Sequence, residues 1–299
     1  MNTNKNAYEI LDAIECERKT FELAGGKVTV LDLGVTNDAG KSKEIGLKVA
    51  EATMGGLSNV SLSEEDGREM IVVEIKENPA ISTLACQMAG WRIKIDGKTA
   101  LGSGPARIPA KQPKEIYEFL NYSEETDVAA LALETNVLPT EETAKIILEK
   151  TGAKKVIVAA FRGDSEIGLM NVIARVVEMG FFALEQLKFE VKKITYGWGT
   201  APLPKITKDV MFTSNDALIY GGVVKLKTEK WEEGLVEKVT SHASPTFGKP
   251  FKELFKEAGD FYKMDPKIFA PAEITVEDTT TGKTYHAGGI KKEIVDTLC

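Results

Sequence analysis

Residues 167–184 read IGLMNVIARVVEMGFFAL, eighteen positions with only two charges, Arg175 and Glu178. So apolar a run leaves water either by crossing a bilayer or by lying in a core that surrounds it. Two charges near its middle make the first costly and leave the second ordinary. The chain must therefore build a large core. Its 299 residues suffice for that, as one large domain or two smaller ones. A hydrophobic content of 43% and a charged content of 28% are those of a soluble globular protein. The N-terminal MNTNKNAYEILDAIECERK is polar and holds no apolar signal segment, so the expected location is cytoplasmic, with no membrane partner.

Composition narrows the chemistry. With 38 Lys and Arg against 45 Asp and Glu, the net charge of −7 offers no electrostatic footprint for nucleic acid. Two histidines, His242 and His286, and three scattered cysteines, Cys16, Cys86 and Cys299, cannot supply a dense metal cluster or a Cys-x-x-Cys site. Both histidines stand in polar surroundings and read as surface or structural. Cys16 and Cys86 read as core or near-core thiols, and Cys299 as a frayed end. An enzyme of this composition would work through carboxylates, Arg, Lys, Ser or Tyr.

The pattern along the chain predicts helices over 7–23, 42–54, 79–89, 115–120, 141–150, 165–187, 231–240, 250–258 and 291–298. It predicts strands over 27–35, 59–62, 70–75, 91–95, 98–101, 128–133, 155–160 and 191–196, a helix end, turn and strand over 217–228, and a hairpin over 273–286. Asp96-Gly97 is a strong hairpin signal, and 197–204 reads as a loop. The class is α/β with a mixed, α+β-like character, in two lobes. The polar segment NYSEETD (121–127) is the expected boundary between an N-terminal lobe, 1–124, and a C-terminal lobe, 125–299.

Within the long helix, Arg175 and Glu178 stand three apart and share a face with Asn171, four before Arg175. Such a stripe is either a buried ion pair that fixes packing or the polar wall of a ligand site. Leu101-Gly102-Ser103-Gly104-Pro105-Ala106-Arg107 follows a strand. It is either an anion nest with Arg107 as a bidentate contact or a plain turn between lobes. It is neither a Walker loop nor a Rossmann fingerprint. Further glycine-rich segments surround Gly55-Gly56, Thr200 and Asn215-Asp216. Spread over both halves, they suggest a cleft lined by loops.

Nine segments carry a family resemblance: TMGGL (53–57), NPAISTLACQMAGW (78–91), LGSGPAR (101–107), ARVVEMG (174–180), GTAPLP (199–204), SNDALIYGG (214–222), FGKPFKELF (247–255), FYKMDPKIFAPA (261–272) and TTGKTYHAGGI (280–290). In this order, over nearly the whole chain, they resemble the methenyltetrahydromethanopterin cyclohydrolases of archaeal and methylotroph one-carbon metabolism. The resemblance implies a homotrimer of α/β subunits, each with a deep pocket between two lobes, and no metal, cofactor or prosthetic group. It implies reversible hydrolysis of the N5,N10-methenyl bridge of a reduced pterin to the N5-formyl form. Glu178 matches the family's key carboxylate and Arg175 the arginine paired with it. Asn171, Gly102, Ser103, Gly104, Arg107, Gly55, Gly56, Thr200, Asn215 and Asp216 are the candidate substrate contacts. The chain departs from the pattern at Met88, often Lys, at AAFRGDS (159–165), often Ala-Pro-Thr-x-Ser, and at bulky Trp198. These departures keep a second reading open: a divergent paralogue that binds a modified pterin or a phosphorylated ligand without this turnover.

Overall fold

The computed structural model describes residues 1–259 and 263–298. The chain begins with helix α1 (Thr3–Asp12), strands β1 (Arg18–Leu23) and β2 (Gly26–Asp32), α2 (Lys43–Thr53), β3 (Asn59–Glu65) and β4 (Arg68–Ile75). A π-helical segment, Ile81–Gln87, leads into β5 (Trp91–Ile95), β6 (Lys98–Ser103), the short helices α3 (Arg107–Ala110) and α4 (Lys114–Leu120), and β7 (Val128–Glu134). Next come α5 (Glu141–Thr151), β8 (Lys155–Phe161), α6 (Glu166–Ile173), α7 (Val176–Gln186), β9 (Ile194–Pro202), α8 (Val210–Gly221) and β10 (Val223–Thr228). Helix α9 (Phe251–Ala258), the hairpin β11 (Glu273–Asp278) and β12 (Thr284–Gly288), and α10 (Lys292–Val295) complete it.

The mixed α/β class is as expected, but the chain does not divide at 124/125. One compact unit comprises Met1–Asn59 and Ile81–Asn171, the other Val60–Ala80 and Val172–Cys299. Residues 121–127 are an anchored part of the first unit rather than a linker. The Glu124 carboxylate accepts the N–H groups of Thr3 at 3.1 Å and Asn4 at 2.9 Å, satisfying donors at the start of α1.

The first unit is built on a six-stranded sheet of order β1-β2-β8-β7-β6-β5. Its centre, β2, β8 and β7, is parallel. The runs VAALALE and KVIVAAF are nearly continuously apolar because both faces of these strands are covered. Ala144, Ile147 and Leu148 of α5 pack with Leu131, Leu133 and Val158 on one face. Leu11 of α1, Val49 of α2 and Ile167 of α6 pack with Ala130, Ala132 and Ile157 on the other.

The second unit is built on a sheet of order β12-β11-β10-β9-β4-β3. Alternation along its strands gives two unlike faces. Ile71, Val73, Ile75, Val224, Leu226, Ile274 and Val276 form a buried face, and α7 packs on β9 and β10. The opposite face carries a cross-strand row of Glu74, Trp198, Lys225, Thr275 and His286.

Several expected elements differ. The helix expected over 7–23 ends at Asp12, and Arg18–Leu23 is drawn into an antiparallel hairpin with β2 through Ala24-Gly25, where Gly25 has φ +98°. The segment after Pro79 winds as a π-helix. β9 runs through Gly197 and Gly199 to Pro202 where a loop was expected. In 231–240, the described helix is the 3-10 turn Val236–Val239, and the last helix is limited to Lys292–Val295. The long helix expected over 165–187 is two helices, separated at Ala174-Arg175. No single helix among the described residues is long and apolar enough to cross a membrane. Cys299, Phe261 and Tyr262 lie outside the described residues.

Candidate functional site

Just after the break before α7 lies a charged pair whose two side chains are both mostly buried. Arg175 adopts φ −77°, ψ 2°, closes a turn through its N–H to Val172 O, and accepts Met179 N–H at 2.9 Å. It is thus the residue from which α7 starts, and Glu178 falls in the first turn. Unpaired N–H groups and the helix dipole favour a carboxylate there. Arg175 Nη1 lies 3.7 Å from Glu178 Oε2, with side chains 14% and 9% exposed. That separation holds opposite charges together without a short hydrogen bond between them. Burial makes the pair interdependent, since losing one partner takes an opposite charge from beside the other.

Asn171 is also buried, and its Oδ1 has no hydrogen-bond partner. It belongs to α6 and the first unit, however, whereas Arg175 and Glu178 belong to the second. The three-residue stripe expected on one continuous helix is therefore interrupted at 174–175.

The segment 101–107 is not an open anion nest. Gly104 N–H donates to Cys86 O at 2.7 Å, Ala106 N–H to Ala130 O at 2.9 Å, and Arg107 N–H to Gly104 O at 3.2 Å. Gly102 and Ser103 lie in β6, paired with β7. The Arg107 side chain is fully buried. Its Nε donates to Gln112 O at 2.8 Å, and its Nη1 reaches the carbonyls of Leu84, Ala85 and Cys86 at 3.1–3.3 Å. These are the last carbonyls of the π-helical segment, and Tyr117 Oη donates to Ala85 O at 2.9 Å beside them. Arg107 therefore clamps the fold through Nε and Nη1, while its buried Nη2 has no hydrogen-bond partner.

The remaining candidates are likewise engaged locally. Gly55 and Gly56, at φ +70° and +65°, end α2 against α1. A Cβ on either would lie 2.8 Å from Thr3 Cβ or 2.9 Å from Asn6 Cβ. Thr200 Oγ1 donates to Ile71 O at 2.8 Å, and Asn215 Nδ2 to Met211 O at 2.8 Å. Asp216 Oδ1 accepts Phe251 N–H at 2.7 Å and so caps α9. Burial pushes its carboxyl up to about 6, against the opposing pull of that hydrogen bond. The thiol of Cys86 is pushed up to about 12 by burial, which makes it inert. Both histidines are exposed. Among the described residues, no group of three or more His, Cys, Asp or Glu side chains is placed to hold a metal ion. A concavity of about 650 Å³ in the first unit, lined by Lys5, Tyr8, Glu9, Asp12, Glu125 and Asp127 among others, includes none of the candidate residues.

The whole chain, not only these two side chains, matches one family. The cyclohydrolase (MCH) family model covers residues 3–298. The chain belongs to the cyclohydrolase (MCH) family. Three proteins named methenyltetrahydromethanopterin cyclohydrolase illustrate the relation. The one from Methanocella arvoryzae is 40% identical, over 96% of this chain and 93% of its own length. That from Methanocaldococcus jannaschii is 39% identical, over 99% and 97%. That from Methanothermobacter thermautotrophicus is 38% identical, over 99% and 98%.

The three segments expected to depart from the family pattern have distinct surroundings. Met88 is half-buried just after the π-helical segment, its N–H bonded to Thr83 O at 3.0 Å. Arg162 forms a bidentate pair with Asp164 at 2.8 and 2.7 Å, and Ser165 Oγ accepts Gly168 N–H at the start of α6. Trp198 is half-buried with Lys225 Nζ 4.8 Å over its ring, on the face of β9 away from α7. The sequence reading missed what Gly197 and Gly199 do in this strand. The available signal was ITYGWGTAP, two glycines at alternate positions of a β pattern.

Proposed function

We propose that this chain hydrolyses the N5,N10-methenyl bridge of methenyltetrahydromethanopterin to give N5-formyltetrahydromethanopterin, reversibly, as a step of one-carbon metabolism in methanogenesis. The observation that carries the reading is the buried Arg175–Glu178 pair at the start of α7 in a chain that matches the cyclohydrolases end to end. The methenyl carbon is part of an amidinium cation and is already electrophilic. What the reaction needs from the protein is an oriented water, an acceptor for its proton and a group that holds the acceptor in place.

In this reading Glu178 takes a proton from the water as its oxygen bonds to the methenyl carbon. The resulting neutral adduct collapses with cleavage of the carbon–N10 bond. The hydroxyl proton leaves as the formyl carbonyl forms on N5, and N10 gains a proton. Arg175 orients Glu178 and contacts the pterin. Homotrimeric assembly and turnover without a cofactor belong to the same reading on family resemblance, and a cytoplasmic location on the character of the sequence.

The test is the ultraviolet absorbance of methenyltetrahydromethanopterin with purified protein. Catalytic loss of the methenyl band supports the reading. Tight binding with an unchanged band would instead support a member that holds a pterin without turning it over.

A further inference from the structure

Arg175 and Glu178 flank Val176 and Val177, and these two valines seat the first turn of α7 on its sheet. Both are fully buried. Beneath them lie Gly197 and Gly199 of β9, and Gly222 just before β10. A Cβ built on Gly199 would stand 2.9 Å from Val177 Cγ2 and 3.0 Å from Val176 Cγ1. One on Gly197 would stand 3.0 Å from Val177 Cγ1, and one on Gly222 3.3 Å from Val176 Cγ2. Ordinary carbon–carbon contact begins at about 3.5 Å, so a methyl at Gly199 requires a retreat of roughly 0.6 Å.

Neither side can yield cheaply. A β-branched side chain in a helix is held to essentially one rotamer, so Val177 cannot swing aside. Strand β9 is paired with β4 on one side and β10 on the other, which fixes Gly199 opposite Val73 and Val224. Glycine inside a strand weakens it, and its recurrence at alternate positions marks a close backbone approach. The element that would move is the turn that carries the buried pair.

We infer that Gly199, supported by Gly197, is a positioning residue for Glu178. The bare strand sets the height of the α7 first turn above the sheet, and with it the place of the carboxylate. This rests on the cyclohydrolase reading of Glu178. A displacement approaching 1 Å at a reacting group costs on the order of a hundredfold in rate, so a smaller one is readily measured.

Four variants test the seat. Gly199→Ala lowers kcat at least about tenfold with KM changed far less, because proton acceptance and not general binding is disturbed. Adding Val176→Ala and Val177→Ala together removes both colliding methyls and returns kcat to within about threefold of the Val176→Ala, Val177→Ala variant. Val177→Ile, which leaves the sheet untouched, presses on the same glycines and lowers kcat in the same way. Its crystal structure shows the first turn of α7 lifted relative to β9 and β10. Wild-type kcat in Gly199→Ala or Val177→Ile, or a folded Gly199→Ala, Val176→Ala, Val177→Ala variant as slow as Gly199→Ala, overturns the inference. If wild-type protein leaves the methenyl band unchanged, the cyclohydrolase reading fails instead. The seat is then judged by the position of α7 in Val177→Ile alone, and an unmoved turn overturns it.

Discussion

Arg175 and Glu178 are three residues apart on the same strand of sequence, yet the helix that joins them begins at Arg175 itself. The guanidinium stands 3.7 Å from the carboxylate, and both side chains are mostly buried. One charge thus initiates a helix while the other lies in its first turn, where the backbone N–H groups favour a negative charge.

Replacing Glu178 by Gln keeps the shape of the side chain and removes the proton acceptor. We expect kcat for methenyl hydrolysis to fall by about 10²- to 10⁴-fold, the usual worth of a positioned general base. Steady-state kinetics on folded variant protein measures this. Turnover within a few-fold of wild type would remove Glu178 from the chemistry.

Replacing Arg175 by Met acts on stability as well as rate, because it leaves Glu178 buried without its cation. Breaking a buried pair costs about 3–5 kcal/mol. Urea titration should show a loss in that range. The double variant Arg175→Met, Glu178→Gln should recover much of it while remaining inactive. A single variant as stable as wild type would mean that the carboxylate is compensated from elsewhere.

Asp216 makes a pH-dependent prediction. Burial raises its carboxyl to about 6 in the folded chain, above the range of an unfolded aspartate. The folded state therefore holds the proton more tightly, and this group's contribution to stability falls as pH rises from about 4 to 6. Above that window the native state carries a buried charge. Asp216→Asn can still accept Phe251 N–H and should be more stable than wild type at pH 8, by at most about 3 kcal/mol. Below about pH 4 the difference should vanish. Denaturation across this range checks it, and a constant deficit for the variant would show that the hydrogen bond to Phe251 dominates.

Arg107 separates a clamp from a ligand contact. Arg107→Lys keeps the charge but loses the planar fork that reaches four carbonyls. Unmade bonds to buried carbonyls cost about 1–3 kcal/mol each. The variant should lose several kcal/mol and show faster amide exchange over 84–90. A stable variant with a raised KM would restore the substrate-contact reading.

Much of the fold was legible in local pattern. The apolar runs of β7 and β8, the Asp96-Gly97 turn and the amphipathic α5 appear where propensity and periodicity place them. The pattern failed where tertiary pairing overrode it. Residues 18–23 continue a helical spacing, yet they complete a hairpin with β2 once Gly25 turns the chain. GWG at 197–199 has the composition of a loop, and only the helix above it explains why a strand there would lack side chains.

The site divides along the same line. Burying an eighteen-residue apolar run with two charges in it requires those charges to be compensated, so sequence alone singled out Arg175 and Glu178 and, through family resemblance, their chemistry. It could not decide that the helix restarts at Arg175, because helix breaks depend on what each turn packs against. Nor could it show that Arg107 and Asp216 serve carbonyls and a helix cap. A hydrogen-bonding side chain has the same composition whether its partner is a ligand or the backbone, and only the folded chain brings that backbone within reach.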